Sequence, residues 1–279
     1  MRTLRWGACT HVMGVMNLTP DSFSDGGALA SIADACRTAG RQLQQGAAVL
    51  DLGGQSTRPG AVEVTAAEEA TRLLPALRAV RTRFPEAILS VDTFHAAVAE
   101  AALDVGADWI NDVTGGKRDP AILDCVRTNG CPYVLMHHRA PSSVMNQHAH
   151  YTDVVREVHE ELLFATERVI KAGVKQNQII WDPGIGFAKT TDQSLALMRH
   201  LSTLKREGFP LLVGPSRKRF IGDVLNQPRP KARIWGTAAA VCLAVAEGAD
   251  IVRVHDVGAM VATVKMAEAL WPRAPQTAA

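Results

Sequence analysis

Short apolar runs closed by Gly, Pro, Asn or Asp alternate along the chain with longer stretches of helical pattern. That is the rhythm of repeated βα units, which build a parallel sheet. Eight runs read as strands: His11–Asn17, Val49–Gly54, Ile88–Thr93, Trp109–Val113, Pro132–His137, Ile179–Gly184, Pro210–Ser216 and Ile251–Asp256. Their near-continuous apolar character, as in VLDL, ILSV, YVLM, LLVG and IVRV, is that of strands covered on both faces. Helical pattern fills the intervals, for example Ala66–Arg83, Asp153–Ala172 and Ala238–Ala246. The alternation predicts an α/β protein, a closed (β/α)8 TIM barrel. No break in composition marks a second domain, so one domain is expected over residues 1–279, with its core at 11–270 and a frayed tail at 272–279.

Polar residues gather where those strands end. Asn17, Asp92, Thr93, Asn111, Asp112, His137, Asp182, Ser216, Arg253 and His255 all fall at or near C-terminal strand ends. In a closed barrel these ends open on one face, and that face carries the active site. A single polar strand end is usually a helix N-cap, but so many together point to a site. The stretch 17–27, NLTPDSFSDGG, is either a generic polar turn or a loop in which the oxygen of Asn17 holds Mg2+, an ion that prefers oxygen donors and substrate phosphates. In DLGGQSTRPG, Gly53 and Gly54 allow close backbone approach, while Ser56, Thr57 and Arg58 offer donors to an anion, unless this is an ordinary βα loop.

Asp92, Asn111 and Asp182 place two acids and an amide at the barrel mouth, as a structural salt bridge or as acceptors for a heterocycle with an N–H edge. Arg217, Lys218 and Arg219 follow strand seven, as a solvated basic loop or as part of the anion site common near strands seven and eight. Arg253 and His255 point to the same face of strand eight and, with Asn17, suit a pyrophosphate and its metal. DPGIGFAK contains GxG without GxGxxG, and there is no GxxxxGK[ST], so dinucleotide and P-loop readings fall away. The HHR run at 137–139 lacks the HExxH spacing of a zinc site and reads as a loop.

Composition narrows the setting. The chain is 47% hydrophobic, but only 5% aromatic, so its core rests on Ala, Leu, Val and Ile. A net charge of +2 is too small to indicate a nucleic-acid partner. Five cysteines without a CxxC pair suit buried thiols in a reducing cytoplasm. Met1–Thr10 carries Arg2 and Arg5 with no long apolar run, and Ala238–Ala246 is far shorter than the roughly 20 residues that span a bilayer. A cytoplasmic protein without membrane or nucleic-acid partners is expected.

The segments MNLTPDSFSDGG, DLGGQSTRPGA, SVDT, INDVTGG, VLMHHR, DPGIGFAKT, GPSRKRFIG and RVHD resemble, in order from residue 11 to about 257, the signatures of the dihydropteroate synthase family. The resemblance implies a Mg2+-dependent transferase of folate biosynthesis and a sulfonamide target. It would condense 6-hydroxymethyl-7,8-dihydropterin pyrophosphate with 4-aminobenzoate, giving 7,8-dihydropteroate and pyrophosphate. It also implies a homodimer. By the same resemblance Asp92, Asn111, Asp182 and Lys218 bind the pterin, with Lys218 donating to the ring carbonyl and N5. Asn17, Arg58, Arg253 and His255 handle pyrophosphate and Mg2+, with Asn17 as metal ligand. Thr57, Pro59, Phe187 and Ser216 shape the aminobenzoate site beside Phe23, and Thr57 also serves the pterin substrate. Lys218, Arg253 and Asp92 are the catalytic candidates. Residues 136–147 resemble a family loop to which no contact is assigned.

One departure is Gln55, where bacterial members often carry Glu, which puts local charge pairing in doubt. The alternatives are a pterin-binding methyltransferase domain, which should not need the STRPG and SRK loops, and an inactive pterin-binding homologue, which should have lost a phosphate or metal ligand.

Overall fold

The expected alternation is realised in a computed structural model that describes residues 2–18, 28–55, 63–141 and 143–273. In chain order the elements are β1 (His11–Asn17), α1 (Ala28–Gln44), β2 (Val49–Gly53), α2 (Ala66–Arg83), β3 (Ile88–Asp92), α3 (Ala96–Asp104), β4 (Trp109–Asp112), α4 (Ile122–Asn129) and β5 (Tyr133–Met136). There follow α5 (Val154–Lys171), β6 (Ile179–Asp182), α6 (Thr191–Met198), α7 (Leu201–Lys205), β7 (Leu212–Val213), α8 (Arg219–Val224), α9 (Ile234–Ala246), β8 (Ile251–Val254) and α10 (Val257–Leu270). The strands form one parallel sheet in the order β6-β5-β4-β3-β2-β1-β8-β7. Its two edges meet where the Trp181 amide donates to the Pro210 carbonyl at 2.8 Å, beside a parallel bridge from Trp181 to Leu211. The sheet is thereby a barrel.

Side chains alternate between the two sides of each strand, and that period of two sets the layers inside the barrel. Met13, Val49, Trp109, Val134, Ile180, Leu212 and Ile251 pack together as an apolar layer. Two positions further along their strands stand Asp51, Asn111, Asp182 and Arg253, which form a polar layer directly above. The intervening residues, such as Leu50, Leu89, Ile110, Trp181 and Val252, face outward into the larger core beneath the helices. Each such side chain contributes about 1.5–3 kcal/mol when fully buried. Below the apolar layer, Leu4 and Trp6 close the barrel's lower end. The Trp6 and Trp109 rings lie 5.9 Å apart, and the Trp109 indole donates to the Arg2 carbonyl at 3.0 Å.

Most strands stop one or two residues short of the expected limits, and β7 contracts to two residues. The apolar pattern runs on past the ladder because the mouth turns are themselves buried. There Asp carboxylates capture downstream amides: Asp182 accepts from Gly184 N at 2.7 Å, and Asp112 from Thr114 N and Gly116 N, each at 2.7 Å. Helix α9 begins at Ile234 rather than Ala238. At the last described residue, the Arg273 guanidinium reaches buried Asp250 at 3.3 Å and Thr10 Oγ1 at 2.7 Å. Residues 274–279 lie outside the described residues.

Candidate active site

The polar layer is organised around an acid that sequence reasoning passed over. Asp51, in the middle of β2 and fully buried, accepts from Ser90 Oγ at 2.6 Å, from Asn111 Nδ2 at 3.1 Å and from Arg253 Nε at 2.6 Å. The Arg253 guanidinium also reaches Asp92 Oδ2 at 2.6 Å. Burial works against its charge, but Asp51 and Asp92 more than compensate and raise its pKa above the ordinary value. Burial pushes the Asp92 carboxyl up to about 7, against the pull of Arg253 and with the repulsion of Asp51. Asp182 is raised for the same reason, burial, while its bond from Gly184 N opposes the shift. Among the described residues Asp182 Oδ2 and Asn111 Oδ1 make no hydrogen bond.

Of the three cations after β7, one belongs to this layer. Arg217 turns away to a two-pronged pair with Asp256, and Arg219 is exposed beside Asp223. Lys218, at the start of α8, lays its ammonium over the Phe187 ring, 3.8 Å from the centroid. Burial lowers its pKa to about 8; Arg253 pushes the same way, and Asp182 and Asp92 oppose it. Arg233 fixes this turn by donating to the carbonyls of Arg217 at 3.0 Å and Lys218 at 3.2 Å. Three carboxylates (Asp51, Asp92, Asp182) thus face two cations (Lys218, Arg253), leaving the layer one negative charge in excess when all are ionised.

At the rim, Ser216 Oγ and His255 Nδ1 are 3.0 Å apart. Burial, reinforced by Arg217 and Arg253, lowers the His255 pKa to about 3. Asn17 ends β1. Phe23, Thr57, Arg58 and Pro59 lie outside the described residues. Gln55 closes the base of the segment that carries the last three: its Oε1 accepts from Val64 N at 2.8 Å, a bond that needs no charge.

The pterin binding enzyme family model matches residues 13–255. The chain belongs to the pterin-binding enzyme family. A dihydropteroate synthase of Synechocystis is 49% identical over 266 residues, covering 95% of this chain and 92% of that protein. The crystal structure of a dihydropteroate synthase from Clostridium difficile in the presence of pteroic acid superposes with a TM-score of 0.91 at 36% identity, covering 97% of this chain and 100% of that one. The Xanthomonas albilineans dihydropteroate synthase with 4-aminobenzoic acid gives 0.88 at 40% identity, covering 95% and 94%.

This pterin-binding family member also contains a buried cation that its sequence did not flag. Lys189, 2% exposed, donates to His137 Nδ1 at 3.0 Å and to the carbonyls of Gly184 and Phe187, each at 3.1 Å. His137 Nε2 lies 3.0 Å from Glu161 Oε2, and Glu161 in turn pairs with Arg139. The HHR run is therefore a loop, as expected, but one tied to α5 and to the β6–α6 turn. That turn holds Gly184, Gly186 and Ala188 at positive φ, a conformation that costs a non-glycine residue such as Ala188 about 1–2 kcal/mol.

Proposed function

We propose that this chain is a dihydropteroate synthase, condensing 6-hydroxymethyl-7,8-dihydropterin pyrophosphate with 4-aminobenzoate to 7,8-dihydropteroate and pyrophosphate. One observation carries this reading: a polar layer of three carboxylates and two cations, in which Asp182 Oδ2 and Asn111 Oδ1 make no hydrogen bond among the described residues, sits directly on an apolar layer. The acceptors take the N–H edge of the pterin, and Lys218 donates to its ring carbonyl and N5. Phe187 and Ser216 flank the aminobenzoate, with Phe23, Thr57 and Pro59 completing that side. Arg253, His255 and Arg58 receive the pyrophosphate.

In the reaction the arylamine nitrogen bonds to the pterin methylene carbon and loses a proton. The C–O bond breaks, and its electron pair leaves with pyrophosphate. The excess of carboxylates favours positive charge developing on the ring as that bond stretches, which is electrostatic catalysis. Mg2+ belongs to the same reading. Among the described residues no three His, Cys, Asp or Glu side chains gather to hold a metal. A lone amide oxygen such as that of Asn17 suits an ion that keeps waters and takes its other ligands from substrate phosphates. When bound, the ion supplies charge neutralisation to the leaving group.

A cytoplasmic setting is supported by five free cysteines. Among the described residues no helix is long and apolar enough to cross a membrane. A homodimer is supported by the exposed Val224, Leu225, Trp235, Met266, Leu270 and Trp271, all on or beside α8, α9 and α10.

Incubation of the purified protein with both substrates and Mg2+ is expected to yield dihydropteroate, and a sulfonamide should suppress it. Tight pterin binding without product would instead identify an inactive pterin-binding homologue.

A further inference from the structure

The β6–α6 turn, residues 183–190, carries Phe187 and follows directly on Asp182, yet no regular backbone ladder holds it. Gly184 N donates to Asp182 Oδ1 at 2.7 Å and Phe187 N to the Gly184 carbonyl at 3.0 Å, and the Lys189 ammonium ties the turn further. An ammonium has three hydrogens, and three acceptors surround this one: His137 Nδ1, Gly184 O and Phe187 O, all within 3.1 Å. Two of the three are backbone atoms of the turn itself. The third belongs to the strand β5 side, where His137 N also donates to the Asp182 carbonyl at 2.8 Å.

The imidazole can act as acceptor because its other nitrogen is committed. His137 Nε2 faces Glu161 Oε2 at 3.0 Å, which places the ring proton on Nε2 and the lone pair on Nδ1. The clasp therefore runs from α5 through Glu161 and His137 to Lys189 and the turn. The turn passes close to β5 at Gly184, where a Cβ would stand 2.5 Å from the His137 carbonyl and where φ is 63°, so only glycine fits there.

The product of this arrangement is the placement of one ring. Phe187 packs against Phe94, Val113 and Met136 and against Ala140, Met145 and Ala188. The Lys218 ammonium stands over its ring, 3.8 Å from the centroid. We propose that Lys189, oriented by His137 and Glu161, is a positioning residue that sets Phe187 and so determines how the arylamine substrate is held. The inference rests on the proposed synthase reading for the identity of that substrate, but not for the existence of the clasp. Lys189 touches no substrate and moves no proton in the reaction.

The experiment compares Lys189→Met, His137→Leu and His137→Asn. Leucine removes the acceptor, whereas the asparagine oxygen can occupy the place of Nδ1. Lys189→Met and His137→Leu are expected to raise KM for 4-aminobenzoate at least tenfold, with kcat and pterin affinity changed less than threefold. His137→Asn is expected to restore KM to within threefold of the parent. With Phe187→Ala as the second change, Lys189→Met should add little further loss, because both act through the same ring.

Unchanged KM in Lys189→Met and His137→Leu overturns the proposal, and so does a fall in pterin affinity equal to that in aminobenzoate affinity. Should Lys189→Met fail to fold, the His137 pair decides. Should the parent make no dihydropteroate, amide exchange of residues 184–188 decides on its own. Faster exchange in His137→Leu but not in His137→Asn upholds the clasp, and equal exchange in both rejects it.

Discussion

Asp51 and Arg253 stand 202 positions apart in the chain and 2.6 Å apart in the barrel. Breaking such a buried pair from one side typically costs about 3–5 kcal/mol. Arg253 is thus a structural brace for Asp51 and Asp92 as well as the expected pyrophosphate ligand. Glu69 on α2 is a further buried acid beside β3. Its Oε2 accepts from Thr93 Oγ1 at 3.0 Å, and its side chain lies under Gly54, where a Cβ would come within 3.0 Å of Glu69 Cγ.

Burial raises the Glu69 carboxyl from 4.5 to about 7. Below pH 4.5 the folded and unfolded chains both hold this proton; between 4.5 and 7 only the folded chain does. Stability from this group therefore falls as pH rises through that window and levels off above it. One pKa unit is about 1.4 kcal/mol, so the loss is on the order of 3 kcal/mol. Urea melts at pH 5 and pH 8 are expected to show Glu69→Gln losing less stability than the parent over that interval. Parallel losses in the two proteins would rule this group out as the cause.

At the scale of elements, what local sequence controls was legible. Helix α2 occupies Ala66–Arg83 as expected because Thr65 and Glu68 form a reciprocal capping box, a signature confined to four residues. Strand β1 likewise runs over His11–Asn17. Asp92, Asn111, Asp182, Lys218 and Arg253, expected from strand ends and the β7 loop, lie together at one end of the barrel. Hidden from the sequence were roles defined by distant partners. Asp51 reads as one more strand residue until Arg253 is placed beside it. Lys189 reads as a surface lysine until His137, 52 positions away, supplies its acceptor. Arg217, Lys218 and Arg219 look alike in sequence, and only the turn held by Arg233 separates their directions. Phe23, Thr57, Arg58 and Pro59 lie outside the described residues.

For the whole molecule, the exposed apolar side chains beside α8, α9 and α10 bear on assembly. Trp235 is 80% exposed and Met266 57%, and large apolar surfaces left to water mark interaction sites more often than chance exposure does. Sedimentation equilibrium is expected to give twice the chain mass of 30.0 kDa for the parent and a single chain mass for Trp235→Glu with Met266→Glu. A parent protein that sediments as one chain would sink the homodimer.

The apolar layer, with Leu4 and Trp6 packed beneath it, also governs traffic. A barrel closed at one end is a room with one door: whatever reaches the deepest place must arrive before the door is occupied and must wait until it clears. A pterin seated on that floor is expected to enter ahead of the arylamine, and the joined product to depart last, after pyrophosphate. Dihydropteroate should then compete with the pterin pyrophosphate for the free protein, and raising 4-aminobenzoate should not relieve its inhibition. Product-inhibition kinetics in which 4-aminobenzoate does relieve it would mean that ligands have a second way in.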